Sequence, residues 1–206
     1  MNNQAFPHPI LFLVSAPSGA GKTTLCKRLM EAHPELKFSV SATTRAPREG
    51  ERNGVDYHFM SEADFLEQVE QGFFLEYAQV HNHYYGTPLQ PLLAQYHQGH
   101  SILLDVDVQG GRLIRKALRE VEAASELAAV YVDVFISPPS IDALRERLQG
   151  RGKDAEDVIA RRLNNAVEEL EASGEYAYQV LNDELEVAYR NFESVYRSGT
   201  LRTMPL

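Results

Sequence analysis

Ser15-Ala16-Pro17-Ser18-Gly19-Ala20-Gly21-Lys22-Thr23-Thr24 follows directly on the apolar run Ile10 to Val14. A strand, a glycine-rich loop and a helix opening near Lys22 together cradle polyphosphate. Successive main-chain N–H groups and the positive end of the helix face the anion. Lys22 places an ammonium on the outer phosphates, and the Thr23 hydroxyl is positioned to ligate Mg²⁺. The strict pattern has glycine five residues before Gly21, where this chain has Ala16. Alanine serves there if the position does not need positive φ. A glycine-rich turn without chemistry is the alternative, and the flanking strand and helix patterns weigh against it.

Outward from this loop the chain alternates apolar runs with helical spacing. Lys22 to Glu31 is the helix leaving the loop, and a short strand is expected over Phe38 to Ser41. The segment Thr43-Thr44-Arg45-Ala46-Pro47-Arg48-Glu49-Gly50-Glu51 is too polar for core. Strands are expected over Tyr57 to Met60 and Phe73 to Val80, with a helix between them over Glu62 to Glu70 carrying Phe65, Leu66 and Val69. Residues 41–97 therefore form an inserted lobe. Ile102 to Val108 is read as an apolar strand ending in acids, followed by a helix over Leu113 to Val121 and a buried strand over Ala129 to Ile136. Pro138 and Pro139 stop that strand, and Ser140 stands where it can cap a helix running to about Leu148. Gly150-Arg151-Gly152 breaks the chain before a long helix over 155–172, a last strand over Tyr176 to Leu181 and a closing helix from Glu184 to Tyr196. Strands alternating with helices predict an α/β protein with a mostly parallel sheet covered on both faces.

The 206 residues suit one domain with embedded lobes. With 44% apolar residues and no long apolar run, a membrane span is not expected; Met1 to Pro9 carry no signal-like segment, and a cytoplasmic enzyme is the simplest reading. Cys26 alone can form neither an internal disulfide nor a cysteine metal site, and it reads as a small buried side chain. Twenty basic against 29 acidic residues give a net charge of −9, which argues against polymeric nucleic acid and leaves room for a nucleotide held by local arginines.

Three sets of residues carry the expected chemistry. Asp105 and Asp107 are two apart, so on a strand their carboxylates share a face, beside the loop, where one can orient Mg²⁺ and the other contact an acceptor. Capping is the alternative for either. Arg45 and Arg48 flank Ala46-Pro47, and their planar guanidinium groups suit bidentate phosphate binding, with hydroxyls from Ser41, Tyr57 and Tyr85 in support. Arg147, Arg151, Arg161 and Arg162 surround the glycine break and either close over a transferring phosphoryl group or form ordinary helix ion pairs such as Asp157 with Arg161. His81 and His83 flank Asn82 without completing a metal set and read as surface residues.

From Ile10 to Tyr196 the sequence resembles the guanylate kinase family. The resemblance is carried by the loop, by Ser41-Ala42-Thr43-Thr44-Arg45-Ala46-Pro47-Arg48-Glu49-Gly50-Glu51 and by Gly54-Val55-Asp56-Tyr57-His58-Phe59. It continues through Glu76-Tyr77-Ala78, Tyr84-Tyr85-Gly86-Thr87, Leu104-Asp105-Val106-Asp107-Val108-Gln109-Gly110, Arg147-Leu148-Gln149-Gly150-Arg151-Gly152 and Asn182-Asp183. It implies a phosphate-loop core (1–40, 98–140, 164–206), a mixed GMP-binding lobe (41–97) and a small helical lid (141–163). It also implies transfer of the ATP γ-phosphoryl group to GMP or dGMP. By resemblance, Ala16, Pro17, Ser18, Gly19, Ala20, Gly21, Lys22, Thr23 and Thr24 bind ATP, with Asn182 beside adenine. Ser41, Arg45, Arg48, Tyr57 and Tyr85 hold the GMP phosphate. Glu76 and Thr87 read guanine, assisted by Asp105 or Asp107. A carboxylate accepts from guanine N1–H and the 2-amino group, while a hydroxyl donates to O6; adenine presents the reverse. Lys22, Arg45, Arg147, Arg151 and Arg162 would carry catalysis, with Mg²⁺ held by Thr23 and, through water, Asp105.

The acceptor is already anionic, so no general base is required and alignment with charge neutralisation suffices. Two other readings compete. One is a relative acting on a ribose phosphate, which would not need Glu76 and Thr87. The other is a protein-binding module on the same scaffold, which would not need Lys22, Thr23 and the lid arginines. Exposed patches on the core helices are compatible with a homo-oligomer.

Overall fold

The central strand forms one residue later than the apolar run suggests. β1 is Leu11–Ser15, and its backbone is buried on both sides. Ile10, Phe12 and Val14 point into one apolar layer, while Leu11 and Leu13 point into another. Period-two alternation of large apolar residues on both faces is possible only for a strand covered twice. The computed structural model describes residues 7–80, 82–150 and 156–201. In chain order β1 is followed by α1 (Lys22–Ala32), β2 (Leu36–Phe38), β3 (Ala42–Thr43), β4 (His58–Phe59), α2 (Glu62–Glu70), β5 (Phe74–Val80), β6 (His83–Pro88) and α3 (Leu89–His97). Then come β7 (Ser101–Asp105), α4 (Val108–Glu120), α5 (Ser125–Ala129), β8 (Tyr131–Ser137), α6 (Ile141–Gly150), α7 (Glu156–Glu171), β9 (Tyr178–Leu181) and α8 (Leu185–Thr200).

β2, β7, β1, β8 and β9 make an all-parallel sheet in that order. Leu25, Cys26 and Leu29 of α1 and Ala188, Tyr189, Phe192 and Tyr196 of α8 cover one face. Leu89 and Leu92 of α3 and Val108, Ile114, Ala117 and Leu118 of α4 cover the other. Burying each large side chain of this kind stabilises by roughly 1.5–3 kcal/mol. Cys26 is 4% exposed within the first layer, and burial pushes its thiol far up. The adjacent strands β1 and β7 thus send their chains to opposite faces. Their carboxyl ends flank the crevice where such sheets bind ligands.

β4, β3, β6 and β5 make a second, mixed sheet within the expected inserted segment. It has its own small core of Ala42, Phe65 and Phe74. The helix α3, at the end of that segment, lies against the parallel sheet instead. α6 and α7 pack on each other through Leu144, Leu148, Ile159, Leu163 and Ala166. Ser140 caps α6 as expected, its hydroxyl accepting from the Ala143 N–H at 3.1 Å. No helix among the described residues is long and apolar enough to cross a membrane.

Several elements depart from the sequence reading. The strand expected over Phe38 to Ser41 is β2, ending at Phe38, before the chain turns into the second sheet at Ala42. β6 and α3 are absent from the reading because Tyr84-Tyr85-Gly86-Thr87-Pro88 breaks period two and runs straight into a helix entered by proline. α4 opens at Val108 rather than Leu113. Asp107 caps it, accepting from the Gly110 N–H at 2.7 Å, and Gly110-Gly111 hides the helical signal. Asp105 and Asp107 therefore do not share a strand face: Asp105 ends β7, while Asp107 belongs to the helix cap.

Gly111 is needed for contact rather than conformation, since a Cβ there would lie 2.8 Å from the Tyr176 hydroxyl. Helix propensity alone says Gly111→Ala stabilises by about 1 kcal/mol. Overpacking against the rigid Tyr176 ring should reverse the sign, giving a net loss of about 1–2 kcal/mol in urea unfolding. A stabilised variant would refute the close docking of α4.

Candidate functional site

The loop after β1 takes the shape that an anion cradle needs. Gly19 and Gly21 both adopt φ +93°, and Gly21 is the N-cap of α1. Ala16 does not: Asn82 is the non-glycine residue with positive φ among those described, so alanine costs nothing at position 16. Lys22 leaves the first turn of α1 and reaches back across the sheet ends. Its Nζ lies 2.5 Å from Asp105 Oδ1 and donates to the Val106 carbonyl at 2.8 Å. A cradle of about 280 Å³ is lined by Ala16 to Gly19 and Gly21 to Thr24, together with Asp107 and Glu169. Sequence reasoning passed over Glu169, which α7 delivers from far along the chain. Burial and then Asp107 raise its pKa, while Lys22 and the Ser18 main chain lower it. It lies seven residues after Arg162, so the two share a face of α7.

A second cleft of about 300 Å³ lies between the two sheets. Its walls include Ser41, Tyr57, Glu76, Tyr85, Thr87, Asp105 and Asp107, with Lys22 at one end. Glu76 and Thr87 are opposite one another on the antiparallel pair β5 and β6, so they share a face. The Thr87 hydroxyl, 1% exposed, donates to Glu76 Oε1 at 2.6 Å. Its proton is thus already committed to the carboxylate in this state. Burial pushes Glu76 up to about 7, with a smaller upward contribution from Asp107, against the Thr87 hydrogen bond.

The arginines divide clearly. Arg45 makes a bidentate pair with Glu51, Nη1 to Oε2 and Nη2 to Oε1, both 2.9 Å. Glu51 also accepts from the Arg48 N–H at 2.7 Å, which closes the turn around Pro47. The Arg45 guanidinium lies 5.3 Å from the Tyr57 ring centre, and Tyr57 in turn meets Tyr85 at 6.1 Å. Arg48 is exposed at the lobe surface. Arg147 of α6 donates through Nη2 to the Asn182 carbonyl at 2.8 Å. Asn182 is buried and donates its side-chain amide to the Ala20 carbonyl at 2.7 Å. Arg151, His81 and the Asp157 side chain lie outside the described residues.

The two clefts share Lys22 and Asp107, so a phosphate in the cradle and a second ligand in the cleft face each other across one ammonium. The family model for guanylate kinase matches residues 9–198. The chain belongs to the guanylate kinase family. It is 46% identical over 185 residues to the guanylate kinase of Desulfotalea psychrophila, covering 90% of this chain and 87% of the relative. It is 47% identical over 178 residues to that of Neisseria gonorrhoeae, covering 86% and 82%. The crystal structure of guanylate kinase from Anaplasma phagocytophilum superposes with a TM-score of 0.72 at 29% identity, covering 96% of this chain and 89% of that one. Family membership accounts for the α/β core with its mixed second sheet.

Glu51 has no role in the sequence reading, where its signal is a carboxylate three residues beyond Arg48 in a proline turn. Its geometry makes it the residue that orients Arg45. Glu51→Ala should weaken GMP binding roughly tenfold, the scale of a lost charge-assisted pair, with ATP affinity unchanged. Titration calorimetry with each nucleotide checks this, and equal losses for both would mean a general loosening instead.

Glu76 yields a pH-dependent consequence. Between its ordinary 4.5 and about 7 the folded protein retains a proton that the unfolded chain has released, so stability falls as pH rises through that window. Glu76→Gln removes the penalty. The variant should melt with the wild type at pH 4 and above it at pH 8; equal melting temperatures at pH 8 would show that the burial cost is absent.

Proposed function

We propose that the protein transfers the γ-phosphoryl group of ATP to the phosphate of GMP, forming ADP and GDP, and that dGMP also serves. The observation that carries this is the pair of clefts meeting at Lys22 and Asp107, within a chain of the guanylate kinase family. Ala16 to Thr24 hold the donor phosphates through main-chain N–H groups and the N-terminus of α1. Lys22 bridges donor and acceptor. Because Asp105 holds the ammonium in the free protein, Lys22 is already aimed at the junction when ligands arrive.

Arg45, Arg48, Ser41, Tyr57 and Tyr85 bind the acceptor phosphate, and Glu51 sets the angle of Arg45. Glu76 accepts from guanine N1–H and the 2-amino group, for which it must be ionised. In the free protein Thr87 donates to Glu76; when guanine binds, the hydroxyl turns away from the carboxylate and donates to O6 instead. These groups address the two ends of the nucleotide on either side of the sugar, which favours dGMP as an alternative acceptor. Arg147 and Arg162 stand on α6 and α7, and with Arg151 they neutralise charge as the lid segment closes.

The oxygen-rich edge of the cradle suits Mg²⁺, a hard cation usually held by one or two carboxylates with substrate phosphates. Thr23 and Asp107 line that edge, with Asp105 behind Lys22, and no cluster of three metal-ligating residues occurs among those described. When bound, Mg²⁺ offsets phosphate charge in the transfer. Asp107 retains its capping bond to Gly110, so it orients solvent or base from a fixed position.

ADP formation from Mg-ATP should be measured with GMP, dGMP, AMP, CMP, UMP and ribose phosphate as acceptors. Turnover should be confined to GMP and dGMP, and Glu76→Gln should lower kcat/KM for GMP roughly 10- to 100-fold. Turnover with ribose phosphate or AMP at comparable rates would overturn the guanine assignment. No turnover with any acceptor would overturn the kinase reading.

A further inference from the structure

Asn182 follows β9 directly and is 6% exposed. Its main-chain N–H donates to the Ser137 carbonyl at the end of β8 at 2.8 Å, which anchors it to the sheet. Its side-chain Nδ2 donates to the Ala20 carbonyl of the phosphate loop at 2.7 Å. Because that partner is a carbonyl, the nitrogen of the amide must be the atom facing it. Its own main-chain carbonyl accepts Arg147 Nη2 at 2.8 Å. One residue therefore joins the sheet, the loop and the first lid helix.

The loop is shaped around this contact. A Cβ on Gly21 would lie 2.2 Å from Asn182 Nδ2, so the amide occupies the space a side chain at position 21 would fill. The peptide between Ala20 and Gly21 is planar and trans, so its carbonyl and its N–H point in opposite directions. Holding the Ala20 carbonyl on Asn182 turns the Gly21 N–H the other way. Gly21 lines the cradle, and Asn182 is not part of that lining among the described residues.

We propose that Asn182 is a positioning residue for the donor's polyphosphate rather than a reader of its base: its amide aims the Gly21 N–H into the cradle, and its carbonyl seats Arg147 beside the same loop. This rests on the reading of the cradle as the donor site. A base reader would turn its amide to the base edge; here one amide N–H is committed to the Ala20 carbonyl, and the side chain is buried outside the lining of the cradle. The carbonyl contact gives the lid helix a docking point that does not depend on the side chain at 182.

Tripolyphosphate separates the two roles because it carries no base. The full chain, Asn182→Asp (same shape, donor removed) and Asn182→Ala are titrated by calorimetry with ATP, tripolyphosphate and GMP, after thermal scans confirm folding. Loss of one buried hydrogen bond predicts that ATP and tripolyphosphate weaken together, by roughly tenfold, with GMP unchanged. Weaker ATP with unchanged tripolyphosphate would make Asn182 a base reader and overturn the proposal, as would no loss for either. A measurement on the wild type does not depend on either variant folding. The Asn182 side-chain amide and Gly21 N–H resonances should shift on adding tripolyphosphate and stay in place with adenosine, and the reverse pattern overturns the proposal. Failure of the kinase reading is seen separately, as absent GMP-dependent turnover in the wild type whatever these titrations give.

Discussion

Lys22 makes the contact on which the molecule's geometry turns. Its ammonium sits against Asp105 and the Val106 carbonyl, which ties the first turn of α1 to the end of β7. Those two elements leave the sheet on opposite faces, so this pair spans the crevice between them. Only about a fifth of each side chain is exposed, so the cost of taking both charges out of water offsets much of their attraction. The value of the pair lies in direction: the ammonium is fixed between two clefts before either ligand binds.

The second sheet is arranged to face that point. Glu76 and Thr87 are paired across β5 and β6 and line the cleft, while Leu75, at the irregularity in β5 just before Glu76, is buried in the layer against the parallel sheet. Arg45 is held by Glu51 in the turn behind Tyr57, whose ring both lines the cleft and lies 5.3 Å from the guanidinium. Lys22 and Arg45 are both paired with carboxylates in the free protein, so a phosphate that binds either one replaces an anionic partner already in place.

Much of this was legible in the chain. The apolar run before Gly19-Ala20-Gly21-Lys22 announces a buried strand and a cradle, and α2 has the expected bounds. β6 and α3 were not legible, because Gly86 and Pro88 interrupt any local periodicity; Gly86 is dictated by Phe65 and Phe74, whose rings would meet a Cβ at 3.1 and 2.9 Å. Asp107 misled by position: two residues after Asp105 it reads as the same strand face, and only the cap to Gly110 shows otherwise. Glu169 and the Ala20 contact of Asn182 depend on residues more than a hundred positions apart meeting in space. Local patterns hold no record of such meetings.

The separate core of the second sheet makes it largely independent of the first in its packing. Ala42, Phe65 and Phe74 pack among themselves, and of that sheet's strands only β5, through Leu75, contributes a buried side chain to the layers around the parallel sheet. Side chains that line the cleft from this sheet, such as Tyr85, therefore stand outside the apolar layers that hold the parallel sheet together, and exchanging them leaves that packing intact.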